Sequence, residues 1–402
     1  MVEADLDAAR FSGASEEELM DMEDNVCPSF GACPSMGTAN TMQMLGEVLN
    51  LVLPGTSTIP ASDNAKLRKA REAGMYMVEM AKAGRKPSDL ITKEVLMNAI
   101  MFDMAVAGST NAVLHILSYA YELGIKLTLA DFEKYAKEIP CINAVVPSGP
   151  YTVVDFHYAG GVMNVMKMLE SKLYTDVPSM YGNTWADMLS RVKAQENKVI
   201  HSLEKPLFNE PGLKILRGNL SPNGAIVRPT AVYDEVKYMK GKAKVFEGDR
   251  PAFEAIMAGE IVPGDIIVIR YEGCKGAPGM KELMLSIDAL IGLGLDKSVG
   301  LISDARFSGF NYGAIIGHVS PEAYDGGNIA LVENGDEIVI DIPNGEVSML
   351  VSEEELERRR AAWVCPPLKE EKGCLNIFAK MCRPAEEGGA MQPWDLDAKF
   401  HR

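Results

Sequence analysis

The 402 residues are 47% hydrophobic, enough material for two packed cores, since single cores stop growing beyond ~250–300 residues. Fifty-six acidic against 40 basic side chains give a net charge of −16. Without a Lys/Arg block, that balance argues against nucleic acid or an anionic membrane surface as partner and leaves small substrates or protein subunits.

The start lacks a basic n-region and an apolar core, and no later run approaches the ~18 apolar residues of a membrane helix, so a soluble cytoplasmic protein is expected. Seven cysteines, an odd number, stand at 27 and 33, at 141 and 274, and at 365, 374 and 382. A chain this long does not need disulfide staples, so reduced thiols or metal ligands are expected.

In chain order, residues 1–25 read as an acidic helix, with Ser15 and Glu18 as a capping box. A loop carrying Cys27 and Cys33 follows. Met42, Leu45, Val48 and Leu49 then recur at helical spacing until Pro54-Gly55, and residues 65–83 form a second amphipathic helix. Residues 92–107 make a third helix ended by Gly108, and Ser109-Thr110-Asn111 cap a fourth. That junction is expected to leave backbone N–H groups free for a carboxylate. Residues 139–149 read as a short buried strand and a turn at Pro147-Ser148-Gly149, and Gly160-Gly161 opens another helix.

Residues 194–211 have linker composition, which puts a domain boundary near 205. Beyond it, strands are expected at 213–217, 225–232, 243–246, 266–271, 299–303, 329–332 and 337–342. Two helices, at 280–293 and 352–363, decorate them, and the tail is loop-rich. The expected fold is α/β (α+β): a helix-rich α/β domain over 1–205, then a closed or nearly closed β-barrel with flanking helices over 206–402.

Three segments carry candidate chemistry. Cys33 and Cys27 lie in a Pro/Gly loop, at neither a zinc nor a thioredoxin spacing, and such a pair is ordinarily inert. Glu272 follows the apolar strand 266–271 into a glycine-rich loop, where its carboxylate can reach a hard cation; a loop Glu is ordinarily solvated. Ser308 sits in a Phe-Ser-Gly turn, usually a turn residue, and no Gly-x-Ser-x-Gly elbow supports a hydrolase. Two strand-to-loop junctions thus bring a Glu and a Ser to neighbouring loops. His115 and His318 are read as structural.

Cys27-Pro28-Ser29-Phe30-Gly31-Ala32-Cys33, Thr38-Ala39-Asn40-Thr41-Met42, Arg270-Tyr271-Glu272-Gly273 and Ser303–Gly309 followed by Gly317-His318-Val319-Ser320-Pro321-Glu322-Ala323 together closely resemble the dihydroxy-acid dehydratase and phosphogluconate dehydratase family. The resemblance spans nearly all of the chain but lacks the family's beginning. It implies an incomplete N-terminal domain and a C-terminal β-barrel of the swivelling kind. It also implies a hydro-lyase that converts a 2,3-dihydroxy acid to a 2-keto acid, in branched-chain amino-acid biosynthesis, with sugar acids as the alternative substrates.

By the same resemblance, Cys33 matches a ligand of an iron–sulfur cluster, two-iron or four-iron. Glu272 matches a magnesium ligand, and Ser308 the base that removes the C2 proton. Segments similar to Ser109, Thr110, Asn111 and Ser148 lie in the family's active-site cleft, and a homodimer is implied. Cys274 stands where a proline is usual. The family's other cluster cysteines, magnesium-binding aspartates and modified lysine precede the point where this chain begins, so a truncated or split dehydratase is expected, against a non-catalytic paralogue or an interaction module. Cys365, Cys374 and Cys382 fall outside any matching motif.

Overall fold

The computed structural model describes residues 6, 9–10, 13–25, 30–307, 309 and 311–392. Two compact units emerge, Cys27–Leu213 and Lys214–Arg402, the second grouped with Met1–Val26. Cys27 and Ser308, and part of the helix expected over 1–25, lie outside the described residues. What is described there is α1 (Glu16–Asn25), preceded by the expected box: Glu18 accepts from the N–H and hydroxyl of Ser15 at 2.8 Å each.

The Cys27–Leu213 unit is helical: α2 (Thr38–Val48), α3 (Ala65–Lys82), α4 (Pro87–Leu90), α5 (Lys93–Val106), α6 (Thr110–Glu122), α7 (Leu129–Ala136), α8 (Val153–Tyr158), α9 (Gly161–Met168) and α10 (Trp185–Leu189). α5 is its axis. Every residue from Ala99 to Val106 is buried, and the helix packs against α2, α6, α7 and α9, which is why that stretch is apolar on all sides except at Asp103. The strand expected within 139–149 is not a ladder. Cys141, Asn143 and Val145 make isolated bridges to Phe208, Ile200 and Tyr151, three different segments, so no continuous pairing can form.

In the Lys214–Arg402 unit, β1 (Lys214–Leu216), β2 (Gly224–Val227), β3 (Tyr238–Phe246), β4 (Asp265–Ile269), β6 (Gly300–Ser303), β8 (Ile315–Ser320), β9 (Glu337–Asp341) and β10 (Glu346–Met349) form one sheet in the order β1-β2-β8-β6-β4-β3-β9-β10. Its ends meet: Arg217 donates to the carbonyl of Gly345 and accepts from the N–H of Val347, 2.8 Å each. The edge pairs are thereby satisfied and the sheet is a nearly closed barrel. A separate short pair joins β5 (Glu282–Leu283) to β7 (Arg306–Phe307).

β4 explains its own sequence. Ile266 and Val268 point into the barrel core with Ala243, Ile302 and Ile340. Ile267 and Ile269 point outward, under α11 (Asp249–Met257) and α12 (Leu285–Gly292), against Ile256, Ile287 and Leu290. A strand buried on both faces is a continuous apolar run rather than an alternating one.

Four expectations need correcting here. Residues 329–332 are a 3₁₀ turn (Asn328–Leu331), because Arg270 Nη1 takes the carbonyls of Ala330 (2.7 Å) and Val332 (3.1 Å) that a ladder would need. The helix expected from 280 begins at Leu285, where Asp249 caps it by accepting from the N–H groups of Met284, Leu285 and Ser286. Among the described residues four helices, not two, accompany the barrel: α11, α12, α13 (Glu353–Ala362) and α14 (Cys374–Met381), the last in the tail read as loop. β8 and β10 were not among the expected strands.

Closure of the barrel depends on Gly218, at φ +154°, where a Cβ would meet the carbonyl of Val347. Gly218→Ala is expected to lower stability by about 2–3 kcal/mol in urea denaturation. Gly74→Ala, on exposed α3 with open space around it, is expected to raise it by about 0.5–1 kcal/mol. No described helix is long and apolar enough to cross a membrane.

Candidate active-site elements of the two units

In the helical unit, the segment from Gly31 to Gly37 leads into α2 and is clamped from both sides. Asn40, on the first turn of α2 and 6% exposed, donates its amide to the carbonyls of Cys33 (2.6 Å) and Ser35 (2.7 Å). Met36 N donates to Val146 O, and Val153 N to Pro34 O, each at 2.8 Å. The backbone of this loop is therefore fixed while the Cys33 side chain stays exposed, its Sγ 3.3 Å from Ser35 Oγ.

The same helix binds the 108–111 junction. Thr38 Oγ1 lies 2.9 Å from Ser109 Oγ and accepts from Asn111 Nδ2 at 2.8 Å; Ser109 N donates to Thr41 Oγ1 at 3.0 Å. Cys33, Ser109 and Asn111 thus share one hydrogen-bonded scaffold. The N–H groups of Gly108, Ser109, Asn111 and Ala112 all donate within the chain, so of the junction's N–H groups these four are not open to a ligand: α6 needs a cap and α2 an anchor, and those donors serve both. Ser109 and Asn111 are fully buried, Thr110 is partly exposed, and Ser148 is 8% exposed in the turn whose Val146 carbonyl holds Met36.

In the barrel unit, β4 and β6 run parallel with Ile269 beside Ser303, so the loops that follow them leave side by side. Glu272 is only 2% exposed. Lys369 Nζ donates to its Oε1 at 2.9 Å and to the carbonyl of Tyr271 at 2.8 Å. Lys281 Nζ lies 3.2 Å from Oε2, an ion-pair distance without hydrogen-bond alignment, so that buried oxygen has no hydrogen-bond partner.

Two further buried carboxylates hold the Glu272 loop. Asp304 accepts from the N–H groups of Tyr271 (3.1 Å), Glu272 (3.0 Å) and Ala323 (2.9 Å). Burial pushes its pKa up to about 6 against the lowering effect of those three donors, with the Glu272 charge adding to the rise. Glu322 accepts from Lys275 N at 2.9 Å. Its burial, then the Asp304 charge, push it up to about 8. Gly273 passes so close to Glu322 that a Cβ there would overlap the carboxylate.

Both neighbours of position 308 are secured. Phe307 is buried in β7, and Arg228 Nη1 donates to Gly309 O at 2.6 Å. Of the tail cysteines, Cys365 and Cys374 are exposed and Cys382 is buried. Among the described residues no group of three or more His, Cys, Asp or Glu converges as a metal cage.

The donor sets fit two kinds of group. Glu272 Oε2 is a hard anionic oxygen, buried and without a hydrogen bond, which suits magnesium. Cys33 is an exposed thiol on a rigid loop, which suits one position of an iron–sulfur cluster. Asp304, Glu322 and Lys369 went unassigned from sequence. Asp304 had a signal, a carboxylate one residue beyond a buried strand; Lys369 had none, being 97 residues from its partner.

Comparison with known proteins gives two adjoining family matches. The pattern described as "Dihydroxy-acid/6-phosphogluconate dehydratase N-terminal" matches residues 2–188, and its C-terminal counterpart residues 198–389. The chain is 44% identical over 381 residues to the dihydroxy-acid dehydratase of Clostridium novyi (strain NT), covering 94% of this chain and 69% of that one. It is 45% identical over 379 residues to that of Methanosarcina barkeri (strain Fusaro), covering 93% and 68%. With that of Ignicoccus hospitalis the identity is 44% over 378 residues, covering 94% and 68%.

Proposed function

Because the chain belongs to the dihydroxy-acid/6-phosphogluconate dehydratase family, we propose that it is a hydro-lyase that removes water from a 2,3-dihydroxy carboxylic acid to give a 2-keto acid. The observation that carries this reading is Glu272, a buried carboxylate held by its backbone with one oxygen left without a hydrogen bond. Only the partly exposed Lys281 ammonium, 3.2 Å away, balances that oxygen, and a bound cation would take its place.

Glu272 would hold magnesium through Oε2, and Cys33 would give one thiolate to an iron–sulfur cluster. When bound, the ion supplies positive charge for the substrate's C2 oxygen and carboxylate, and the cluster an iron that acts as a Lewis acid toward the C3 hydroxyl. Ser308, ionised to its alkoxide, would take the proton from C2. The C2–H electrons form the C2=C3 bond as the C3–O bond breaks, the leaving hydroxide takes the proton now on Ser308 and departs as water, and the enol gives its O–H proton to solvent and takes one from solvent at C3 as it becomes the ketone. Thr110 and Ser148 are the substrate contacts of this reading, and Ser109 and Asn111 support them through α2.

The relatives named dihydroxy-acid dehydratase support a branched substrate of branched-chain amino-acid biosynthesis over a sugar acid. A cytoplasmic homodimer completes the reading. The test is to reconstitute the chain anaerobically with ferrous iron, sulfide and Mg²⁺, supply a branched 2,3-dihydroxy acid or an aldonic acid, and assay keto acid. Product from the branched acid is expected. Product from the aldonic acid alone would move the substrate class, and product from neither would remove the hydro-lyase reading for this chain.

Cys33→Ser is expected to abolish the visible iron–sulfur absorbance of the reconstituted chain and leave its far-UV dichroism unchanged, because the side chain is exposed while the loop is held by Asn40. Changing Cys365, Cys374 and Cys382 together to Ser is expected to leave that absorbance in place.

A further inference from the structure

We infer that Asp304 is a positioning residue for Glu272, fixing the loop from which that carboxylate is presented. The inference rests on Glu272 being a metal ligand. Asp304 stands one residue beyond β6, beside the end of β4, and is fully buried. Its Oδ2 accepts from Tyr271 N and Ala323 N, and its Oδ1 from Glu272 N itself.

Tyr271 has φ +63°, an unfavourable conformation for a residue with a side chain. With Tyr271 so turned, two successive N–H groups converge on the one carboxylate, as in an anion-binding nest. An apolar residue at 304 would fill the space but leave three buried N–H groups unpaired. The third donor, Ala323, adjoins Glu322, which holds Lys275 N on the far side of Gly273. The stretch from Tyr271 to Lys275 is therefore fastened at three N–H groups by two buried acids, and Glu272 lies between the fastenings.

Magnesium demands near-ideal octahedral geometry, so a small displacement of this loop costs affinity. Asp304→Asn keeps the shape but places an NH₂ against at least one backbone N–H, a donor facing a donor. Mn²⁺ alone is the probe, its binding to the full 402-residue chain read by electron paramagnetic resonance of the free ion, beside a thermal melt.

The expected result is that Glu272→Gln and Asp304→Asn each weaken Mn²⁺ binding about tenfold or more. Asp304→Asn should do so at a temperature well below its own, lowered, melting transition, so that the lost affinity reports the loop and not unfolding. If Glu272→Gln weakens binding and Asp304→Asn does not, the inference is wrong and the metal reading stands. If the wild type does not bind Mn²⁺, or Glu272→Gln binds as the wild type does, the metal reading fails and the inference falls with it. Should Asp304→Asn not fold, Gly273→Ala displaces the same loop from the Glu322 side with Asp304 intact; unchanged affinity there would equally overturn the inference.

Discussion

Replacing Glu272 by Gln is expected to lower keto-acid formation by the reconstituted chain by about 10²–10³-fold, the range seen when one preorganised electrostatic contact to a transition state is removed. The substitution preserves shape and leaves the backbone anchor at Asp304 in place. What it removes is the negative charge that faces Lys369 Nζ and Lys281 Nζ and that would hold a divalent cation.

The stability cost should be small. Both lysines are partly exposed, 43% and 58%, and regain water when the carboxylate charge is gone, so the loss is about 1 kcal/mol rather than the ~3–5 kcal/mol of a fully buried broken pair. A steep loss of kcat with a nearly unchanged melt is therefore the signature. Turnover within tenfold of wild type would remove Glu272 from the site, whatever the stability.

How far the sequence disclosed this arrangement depends on how local each determinant is. Strand β4 was legible because Ile266-Ile267-Val268-Ile269 is apolar on both faces and both faces are buried. Residues 329–332 looked similar and are not a strand, because Arg270, some 60 residues earlier, takes their carbonyls. No window of sequence contains both partners. The barrel was legible in outline from strand density, but its closure by Arg217 against β10 is a contact across more than a hundred residues.

The site divides in the same way. Cys33, Glu272 and Ser308 were singled out because each sits in a distinctive local pattern. Asn40, which fixes the Cys33 backbone, lay inside one of those patterns but was given no role. Asp304 and Glu322 were likewise quoted within motifs without one, since a buried acid that accepts from backbone N–H groups has no compositional mark. At the Gly108–Asn111 junction the composition suggested open donors. Folding takes up four of them: Thr41, 68 residues earlier on α2, accepts from Ser109 N, while Gly108, Asn111 and Ala112 donate to Asp103 and Ser109 close by in the chain.

A second large effect is expected in the pH dependence of stability, from Glu322. Its carboxyl titrates near 4.5 when solvated and is raised to about 8 in the folded chain, chiefly by burial and next by the charge of Asp304. A raised folded-state value means that the folded chain binds the proton more tightly than the unfolded chain. The stability from this group is thus fully present below about pH 4.5 and is lost as the pH rises through about 8. Asp304, raised from 3.8 to about 6, contributes with the same sign in a lower window.

Each pH unit over which only the folded state holds the proton is worth ~1.36 kcal/mol, so the rise from about pH 6 to about pH 8 should cost on the order of 3 kcal/mol. Glu322→Gln keeps an acceptor for Lys275 N and cannot ionise. Its urea-unfolding free energy is expected to stay flatter over that interval and to exceed wild type at about pH 8.5, a crossing that the remaining titrating groups, common to both proteins, cannot produce. Parallel curves for the two proteins would mean that Glu322 is already ionised in the folded chain at neutral pH. The ammonium of Lys275, ion-paired with Asp325 beside it, would then be neutralising a charge that burial should have suppressed.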